Sequence, residues 1–371
     1  MPTKTIADLE TPVPLVDLDR LARNLDRMAA YASRHQLALR PHVKTHKSPR
    51  VAAEQVSRGA AGLTCATPRE LEVMAEVSDD LLLAHPPLGA KLDRVLRLPT
   101  SVRLTVAVDS AEALERVAAR AREAARPVGV LIELDLGMRR VGVGTPAEAV
   151  ALARLAAERS FLDYSGVTFY PGHIRESVGV QGASLARLSA DLGAFIAALD
   201  RAGLYPDVVS GGSTPTVWST HEIRSVTEFR PGTYVYNDRT TAECGACGWD
   251  DCALTVLATV VSTAVPGQAV IDAGSKALGR EPLRADGDGF GVLLGRPEVR
   301  VARMSEEHGI LDLSETSWLP DVGEQVRVIP NHVCIVVHLF DEIVGIRGDA
   351  VETSWPVAAR GRSPLETAAP R

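Results

Sequence analysis

The stretch "LALRPHVKTHKSPR" (residues 37–50) opens as a short apolar run and then, from Arg40 to Arg50, packs four Lys or Arg, two His and two Pro into eleven positions. Two readings compete. The basic run is a solvated surface loop, or it is the end of a buried strand whose lysine, Lys44, is presented to a site. The rest of the chain favours the second. Short β-rich runs occur at 14–18, 37–44, 61–66, 80–86, 102–108, 127–135, 162–170 and 206–213. Amphipathic stretches lie between them, among others 21–35, 67–77, 110–125 and 145–160. Strand-length apolar runs alternating with helical periodicity are the signature of βα units. Thr67-Pro68 and Thr145-Pro146 each set a capping hydroxyl before a first-turn proline, and Glu70 and Glu148 complete the capping boxes. Eight such strands predict a closed parallel (β/α)8 barrel. An open doubly wound sheet is the alternative, and the count of eight favours closure.

Beyond about residue 240 the pattern changes. Segments 252–265, 268–275, 290–304, 325–340 and 342–361 are strand-like and separated by Gly, Asp and Pro turns. The predicted organisation is a barrel over 10–240, a mostly β C-terminal domain over 241–361 with residues 1–9 available to pack on it, and a flexible tail over 362–371. At 371 residues, 46% apolar and 23% charged, the chain is long enough for two ordinary cores. Its net charge of -7 comes from interspersed acids and bases, which leaves no footprint for nucleic acid or a membrane surface. No apolar run reads as a membrane span or a secretory core. Five cysteines, an odd number, argue for a reducing compartment, and the expected location is the cytoplasm.

Barrel enzymes assemble their sites at the carboxyl ends of the strands, where Lys44 would stand. The last predicted barrel strand runs into "SGGSTPT" (210–216), whose small residues let backbone N–H groups approach a phosphate. An amine at one rim and a phosphate cup at another are the two anchors that pyridoxal 5'-phosphate needs. Alone, a strand-end lysine is commonly solvated and "SGGS" is commonly a turn; together they favour the cofactor. Further on, "PNHVC" spaces His332 and Cys334 at i, i+2, so that on a strand both would point to one face. Two same-face donors, with solvent and substrate completing the sphere, make an open catalytic metal site. A cysteine there is otherwise ordinary core. "CGACGWDDC" holds Cys244, Cys247 and Cys252, but a C-x2-C with one further thiol lacks a fourth ligand and reads as a loop joining the two domains.

In order along the chain, "RPHVKTHK", "GLTCATPRELEVMAE", "GMRRVGV" (137–143), "SGGSTPT", "FRPGTYVYND" (229–238), "IDAGSKALGR" (271–280), "SEEHG" (305–309), "PNHVC" and "WPVAARGR" (355–362) resemble the D-threonine aldolase and D-serine dehydratase group. These are alanine-racemase-like, fold type III pyridoxal-phosphate enzymes, and the resemblance covers nearly the whole chain. It implies Lys44 as the lysine that carries the cofactor and as a catalytic base, and Arg140 facing the cofactor's phenolic oxygen. It further implies Tyr170 beside the cofactor, with Ser210, Gly211, Gly212, Ser213 and Tyr236 around it and its phosphate; Tyr234 rivals Tyr236.

The resemblance also implies a divalent ion on His332 and Cys334. The dehydratases of the group resemble this chain in having cysteine second, whereas the aldolases have aspartate. A thiolate favours zinc, and a carboxylate would suit manganese or magnesium. In "FYPGHI" the comparison aldolases have histidine directly after the tyrosine, where this chain has Pro171. His173 is therefore out of register, either a base for cleavage or a contact to the substrate carboxylate. The expectation is a lyase for small β-hydroxy D-amino acids, leaning to dehydration into a keto acid and ammonia. Retro-aldol cleavage is the alternative and racemisation a more remote one; a non-enzymatic carrier would lack the β domain. The group also implies a homodimer.

Overall fold

The computed structural model describes residues 4–285 and 287–361, so the expected tail at 362–371 lies outside the described residues. Contacts divide the chain into two compact units. An α/β unit holds residues 28–174, 179–232 and the segment from Ala359; a β unit holds the segment up to Arg27, residues 175–178 and residues 233–358. The boundary thus falls a few residues before the expected 240, and the N-terminal segment belongs with the C-terminal one.

In chain order the first strand is β1 (Val13–Asp17). Next come β2 (Ala38–Leu39), β3 (Leu63–Cys65), β4 (Asp80–Leu83), β5 (Arg103–Val108) and β6 (Val128–Leu134). They are followed by β7 (Leu162–Phe169), β8 (Val208–Gly211) and β9 (Glu228–Phe229). Strands β2 to β9 form one parallel sheet in the order β2-β9-β8-β7-β6-β5-β4-β3. It closes on itself: Ala61 N donates to Leu39 O at 2.8 Å, Thr64 N to Pro41 O at 2.9 Å, and His42 bridges Thr64 in parallel. The predicted eight-stranded barrel is therefore present, with one strand misassigned. "PLVDL" is β1, which pairs in the other sheet, and the missing barrel member is the two-residue β9. A run buried on both faces reads the same in a barrel and in the middle of a mixed sheet, which is why periodicity could not separate them. Lys44 consequently follows the first barrel strand, and "SGGSTPT" follows the seventh.

Two-residue strands cannot hold a barrel closed by backbone bonds alone, and a buried charge cluster supports them. Arg40 donates from both Nη atoms to Asp80 at 2.9 Å and from Nε to Glu228 at 2.7 Å. Asp80 also accepts from Arg103, and Glu228 accepts from Ser210 Oγ at 2.6 Å. The side chains of Arg40, Asp80 and Glu228 retain only 12%, 8% and 5% of their exposure. Burial works against the Arg40 charge, but the two carboxylates outweigh it and raise its pKa above the ordinary arginine value. Gly62 makes room, since a Cβ there would lie 2.3 Å from Arg40 Nη1. A cavity of about 700 Å³ opens beside this cluster, at the amino-terminal end of the barrel.

Helices cover the barrel. One of them, Gly182–Arg201, is by length and composition apolar enough to cross a bilayer, which the sequence reading did not register. It presents Leu185, Leu188, Leu192, Phe195, Ile196 and Leu199 as buried residues, the one-sided stripe of a packed barrel helix.

The β unit begins with β10 (Leu254–Ser262), β11 (Gln268–Ile271), β12 (Gly291–Leu293) and β13 (Arg296–Met304). It continues with β14 (Gly309–Asp312), β15 (Gln325–Pro330), β16 (Glu342–Arg347) and β17 (Ala350–Pro356). The ladder β11-β14-β13-β12-β15-β10 returns to β11, so six antiparallel strands close around Val256, Val260, Leu293, Val301, Leu311 and Val328. β1 then pairs antiparallel with β10 and parallel with β16, carrying the sheet on to β17.

Replacing Arg40 by Met leaves Asp80 and Glu228 buried without their shared partner. The expected cost is about 3–5 kcal/mol of unfolding free energy. Denaturant unfolding followed by circular dichroism measures it, and a loss under ~1 kcal/mol would mean that the cluster does not support closure.

Candidate active site

Lys44 sits in the 3-10 turn Val43–Thr45 just after β2, with His42 as the capping residue whose Nδ1 accepts Lys44 N at 3.5 Å. Its Nζ lies 5.8 Å from the centre of the Tyr170 ring, and the Arg140 guanidinium carbon lies 5.0 Å from the same ring. Tyr170 follows β7 and Arg140 follows β6, so three strand ends converge on one aromatic ring that attracts both cations. The loop around them is shaped by glycines. A Cβ on Gly172 would lie 2.1 Å from the Tyr170 ring, and one on Gly137, at φ +114, would lie 3.0 Å from His173 Nε2. The His173 ring therefore rests over the turn that leads to Arg140. That turn is held by Asp135 Oδ1, which accepts from Gly137 N at 3.0 Å and Arg139 N at 2.9 Å.

Neighbouring lysines are committed elsewhere. Lys47 forms a buried ion pair with Glu70, whose other oxygen accepts Ala66 N at 2.6 Å. Its backbone is left-handed at φ +51, and its N donates to Val43 O at 2.8 Å, which tightens the turn bearing Lys44. Lys276 makes an exposed pair with Glu307 at 2.6 Å. Among the described residues no carboxylate pairs with Lys44. Burial, then Lys44, Arg230, Lys47 and His46, push the His42 imidazole well below its ordinary value, so it is neutral.

Three residues of this end carry no role in the sequence reading. Arg230, just past β9, is buried and donates to Thr168 Oγ1 at 2.5 Å and Phe169 O at 3.1 Å. Its Nε has no hydrogen-bond partner among the described residues, and burial lowers its pKa. Glu133 on β6 is buried; desolvation raises its pKa, against the pull of Arg230 and Arg140. His42 is the third. The usable signal for Arg230 was its place in "FRPG", directly after a strand that had not been recognised.

The predicted phosphate loop divides in two. The Ser210 hydroxyl is committed to Glu228, so that side chain serves the charge cluster and not a phosphate. Gly211 packs under Phe169, where a Cβ would lie 2.2 Å from the ring, and Gly212 is left-handed at φ +98. Ser213 Oγ shares a 3.0 Å hydrogen bond with Thr216 Oγ1. Thr214 Oγ1 is buried with no partner among the described residues. Pyridoxal phosphate presents an aldehyde, a phenolic oxygen and a phosphate. Against these the unit offers an amine, a guanidinium, and a glycine turn with an orphaned buried hydroxyl, and these residues fit the group. Tyr236 belongs to the β unit; it is fully buried, its hydroxyl lacks a hydrogen-bond partner among the described residues, and burial raises its pKa. Tyr234 is buried in the same unit.

The metal pair is not on a strand. Val333–Leu339 is a helix, His332 is its capping residue and Cys334 lies in its first turn. The predicted same-face geometry is thus replaced by a helix start that still brings the two side chains into hydrogen-bonding contact. The orienting group is Asp238, which the sequence reading missed. Its Oδ2 lies 3.0 Å from His332 Nδ1 and accepts Val333 N at 3.3 Å, while Oδ1 accepts Thr241 N at 2.9 Å. With Nδ1 turned to a carboxylate, Nε2 is the nitrogen left for a ligand. Burial alone would lower the His332 pKa, but Cys334 and Asp238 hold it well above the ordinary value. Among the described residues no third His, Cys, Asp or Glu completes a closed cluster. The donor set therefore fits an open site for a soft divalent ion.

Comparison with known proteins agrees with this architecture. The alanine racemase N-terminal domain model matches residues 16–240, and a serine dehydratase domain model matches residues 253–346. The chain is 32% identical to a D-threonine aldolase of Arthrobacter sp, over 98% of this chain and 96% of that protein. It is 34% identical to the D-threo-3-hydroxyaspartate dehydratase of Delftia sp. (strain HT23), over 95% and 98%. The crystal structure of D-threonine aldolase from Filomicrobium marinum superposes with a TM-score of 0.88 at 32% identity, covering 97% of this chain and 99% of that one. The chain belongs to the D-threonine aldolase and D-serine dehydratase family, pyridoxal-phosphate-dependent lyases with the alanine-racemase-like, type III fold.

Proposed function

We propose that this lyase dehydrates a small β-hydroxy D-amino acid with the help of zinc, releasing a keto acid and ammonia. The observation that carries the reading is the His332 and Cys334 pair backed by Asp238. Solved structures of the Delftia dehydratase include alanine variants of a histidine and of a cysteine two positions later, the second in a metal-free form. His332 and Cys334 have the same spacing, and a thiolate donor selects zinc over manganese or magnesium.

The chemistry follows from which bond breaks. When bound, the cofactor supplies the electron sink that makes the Cα proton labile, and a zinc ion supplies the Lewis acid that lets the β-hydroxyl leave as hydroxide. Lys44 Nζ is the group that takes the Cα proton. Arg140 would hold the cofactor's phenolic oxygen, and Tyr170 draws Lys44 and Arg140 to one ring. The Gly212–Thr214 turn binds the phosphate. Retro-aldol cleavage instead requires a base to remove the hydroxyl proton. His173, exposed above Gly137, is the group that keeps this second reading alive.

Borohydride reduction of the enzyme followed by peptide mapping is expected to leave the pyridoxyl group on Lys44. Its appearance on Lys47 would contradict the ion pair with Glu70. Replacing His332 or Cys334 by Ala is expected to abolish zinc binding in equilibrium dialysis, whereas Asp238→Asn weakens it about 10–100-fold with both donors in place. Unchanged affinity in all three variants would move the metal elsewhere. D-Threonine separates the two reactions: 2-oxobutyrate with ammonia is expected, lost with chelator and restored by zinc. Glycine with acetaldehyde as the main products would make the enzyme an aldolase.

A further inference from the structure

We propose that Cys247 and Cys252 form an oxidisable dithiol, a site that reacts with a small hydroperoxide and closes into an intramolecular disulfide. Both thiols lie in the segment that follows the helix Arg239–Glu243. Gly248 starts a 3-10 turn over Trp249–Asp251: its N donates to Asp251 Oδ2 at 2.9 Å, Asp251 N to Gly248 O at 3.0 Å and Cys252 N to Trp249 O at 3.2 Å. The chain is thereby folded back on itself, and Cys247 packs on the buried group of Cys252, Val292 and Ile329. The turn thus brings Cys247 and Cys252 into one packed group.

Their environments divide the roles. Cys65, Cys244 and Cys252 are buried, while Cys247 and Cys334 are partly exposed. Cys334 belongs to the metal pair, which leaves Cys247 as the accessible sulfur packed on a group that holds a second thiol. Cys252 is fully buried and Cys247 is not, so the first attack falls to Cys247; its neighbour and burial also raise the pKa of Cys252. Cys244 is turned away, its Sγ directed at Thr241 O at 3.4 Å.

The reaction balances. The Cys247 sulfur attacks the peroxide, the O–O bond breaks, ROOH leaves as ROH, and Cys247 becomes a sulfenic acid. The Cys252 sulfur then displaces its hydroxyl as water and the S–S bond forms. Two thiols supply the two electrons that reduce one hydroperoxide to ROH and water.

The disulfide has a defined neighbour. Cys247 Sγ donates to Thr241 Oγ1 at 3.5 Å, and Thr241 donates from N and Oγ1 to Asp238 Oδ1 at 2.9 and 3.1 Å. Oxidation removes the thiol proton from this chain, which ends at the carboxylate behind His332. The resulting loss of zinc rests on the metal reading above; the disulfide does not.

The test uses zinc-loaded enzyme titrated with hydrogen peroxide, then denatured and assayed for thiols. Free thiols are expected to fall from five to three and to return with dithiothreitol. Cleavage before Asp250 separates Cys247 from Cys252, so the two fragments stay joined only when oxidised. Cys247→Ser and Cys252→Ser should each remove the link, and Cys244→Ser should leave it. Five persisting thiols, a link that survives in Cys247→Ser, or Cys247 carried to sulfinic acid beside an unchanged Cys252 would overturn the proposal. Zinc lost on oxidation of the wild type but kept in Cys252→Ser supports the coupling to Asp238. Equal retention in both overturns the coupling alone.

Discussion

The contact between the Arg40 guanidinium and the carboxylates of Asp80 and Glu228 governs more of this molecule than its size suggests. It spans β2, β4 and β9, and two of those strands are only two residues long. Lys44 follows Arg40 by one turn of chain. Ser210, at the end of the strand that leads to the glycine turn, is tied to the same Glu228. The floor of the barrel therefore sets where the amine and the phosphate loop stand at its roof. Buried ion pairs of this sort are poor sources of net stability, because desolvation offsets the attraction, but they tolerate few alternative arrangements. Geometry is what they contribute here.

The β unit repeats the arrangement with a different buried acid. Asp238 caps the helix Arg239–Glu243 through Thr241 and accepts the first N–H of the helix Val333–Leu339. It turns one face of His332 as well. A single carboxylate thus joins two helix starts to a metal donor, and the imidazole inherits the rigidity of both.

Much of this was legible in the sequence, and the rest was not for identifiable reasons. Lys44 and the glycine turn could be read because strand ends and small residues mark themselves locally, whereas Arg140 came only from the resemblance of its motif to the family. β9 could not, since Glu228 and Phe229 carry no periodicity and their partners are remote in sequence. "VCIVVHL" is rich in β-branched residues and reads as a strand, yet capping at Asp238 and the surrounding packing make it helical. His332 and Cys334 therefore lie at a helix start and not on one face of a strand. Asp238, Arg230 and Glu133 stayed hidden because each acquires its role from a contact that no local pattern encodes. Ser210 shows the reverse: its position in a small-residue motif suggested a phosphate, and its hydroxyl is used by Glu228.

The placement of β1 bears on how the chain is made. Val13 faces Leu257, and Leu15 faces Val344. A ribosome releases this apolar strand long before either neighbour exists, while the whole barrel sequence is being synthesised between them. The nascent segment must wait with its backbone groups unpaired, at a steep cost in loop closure when the partners finally arrive. The barrel can collapse early around its local βα units, whereas the β unit is sealed only after the last strands emerge. For that interval β1 is the exposed edge that chaperones would have to shield and that crowding would turn towards aggregation.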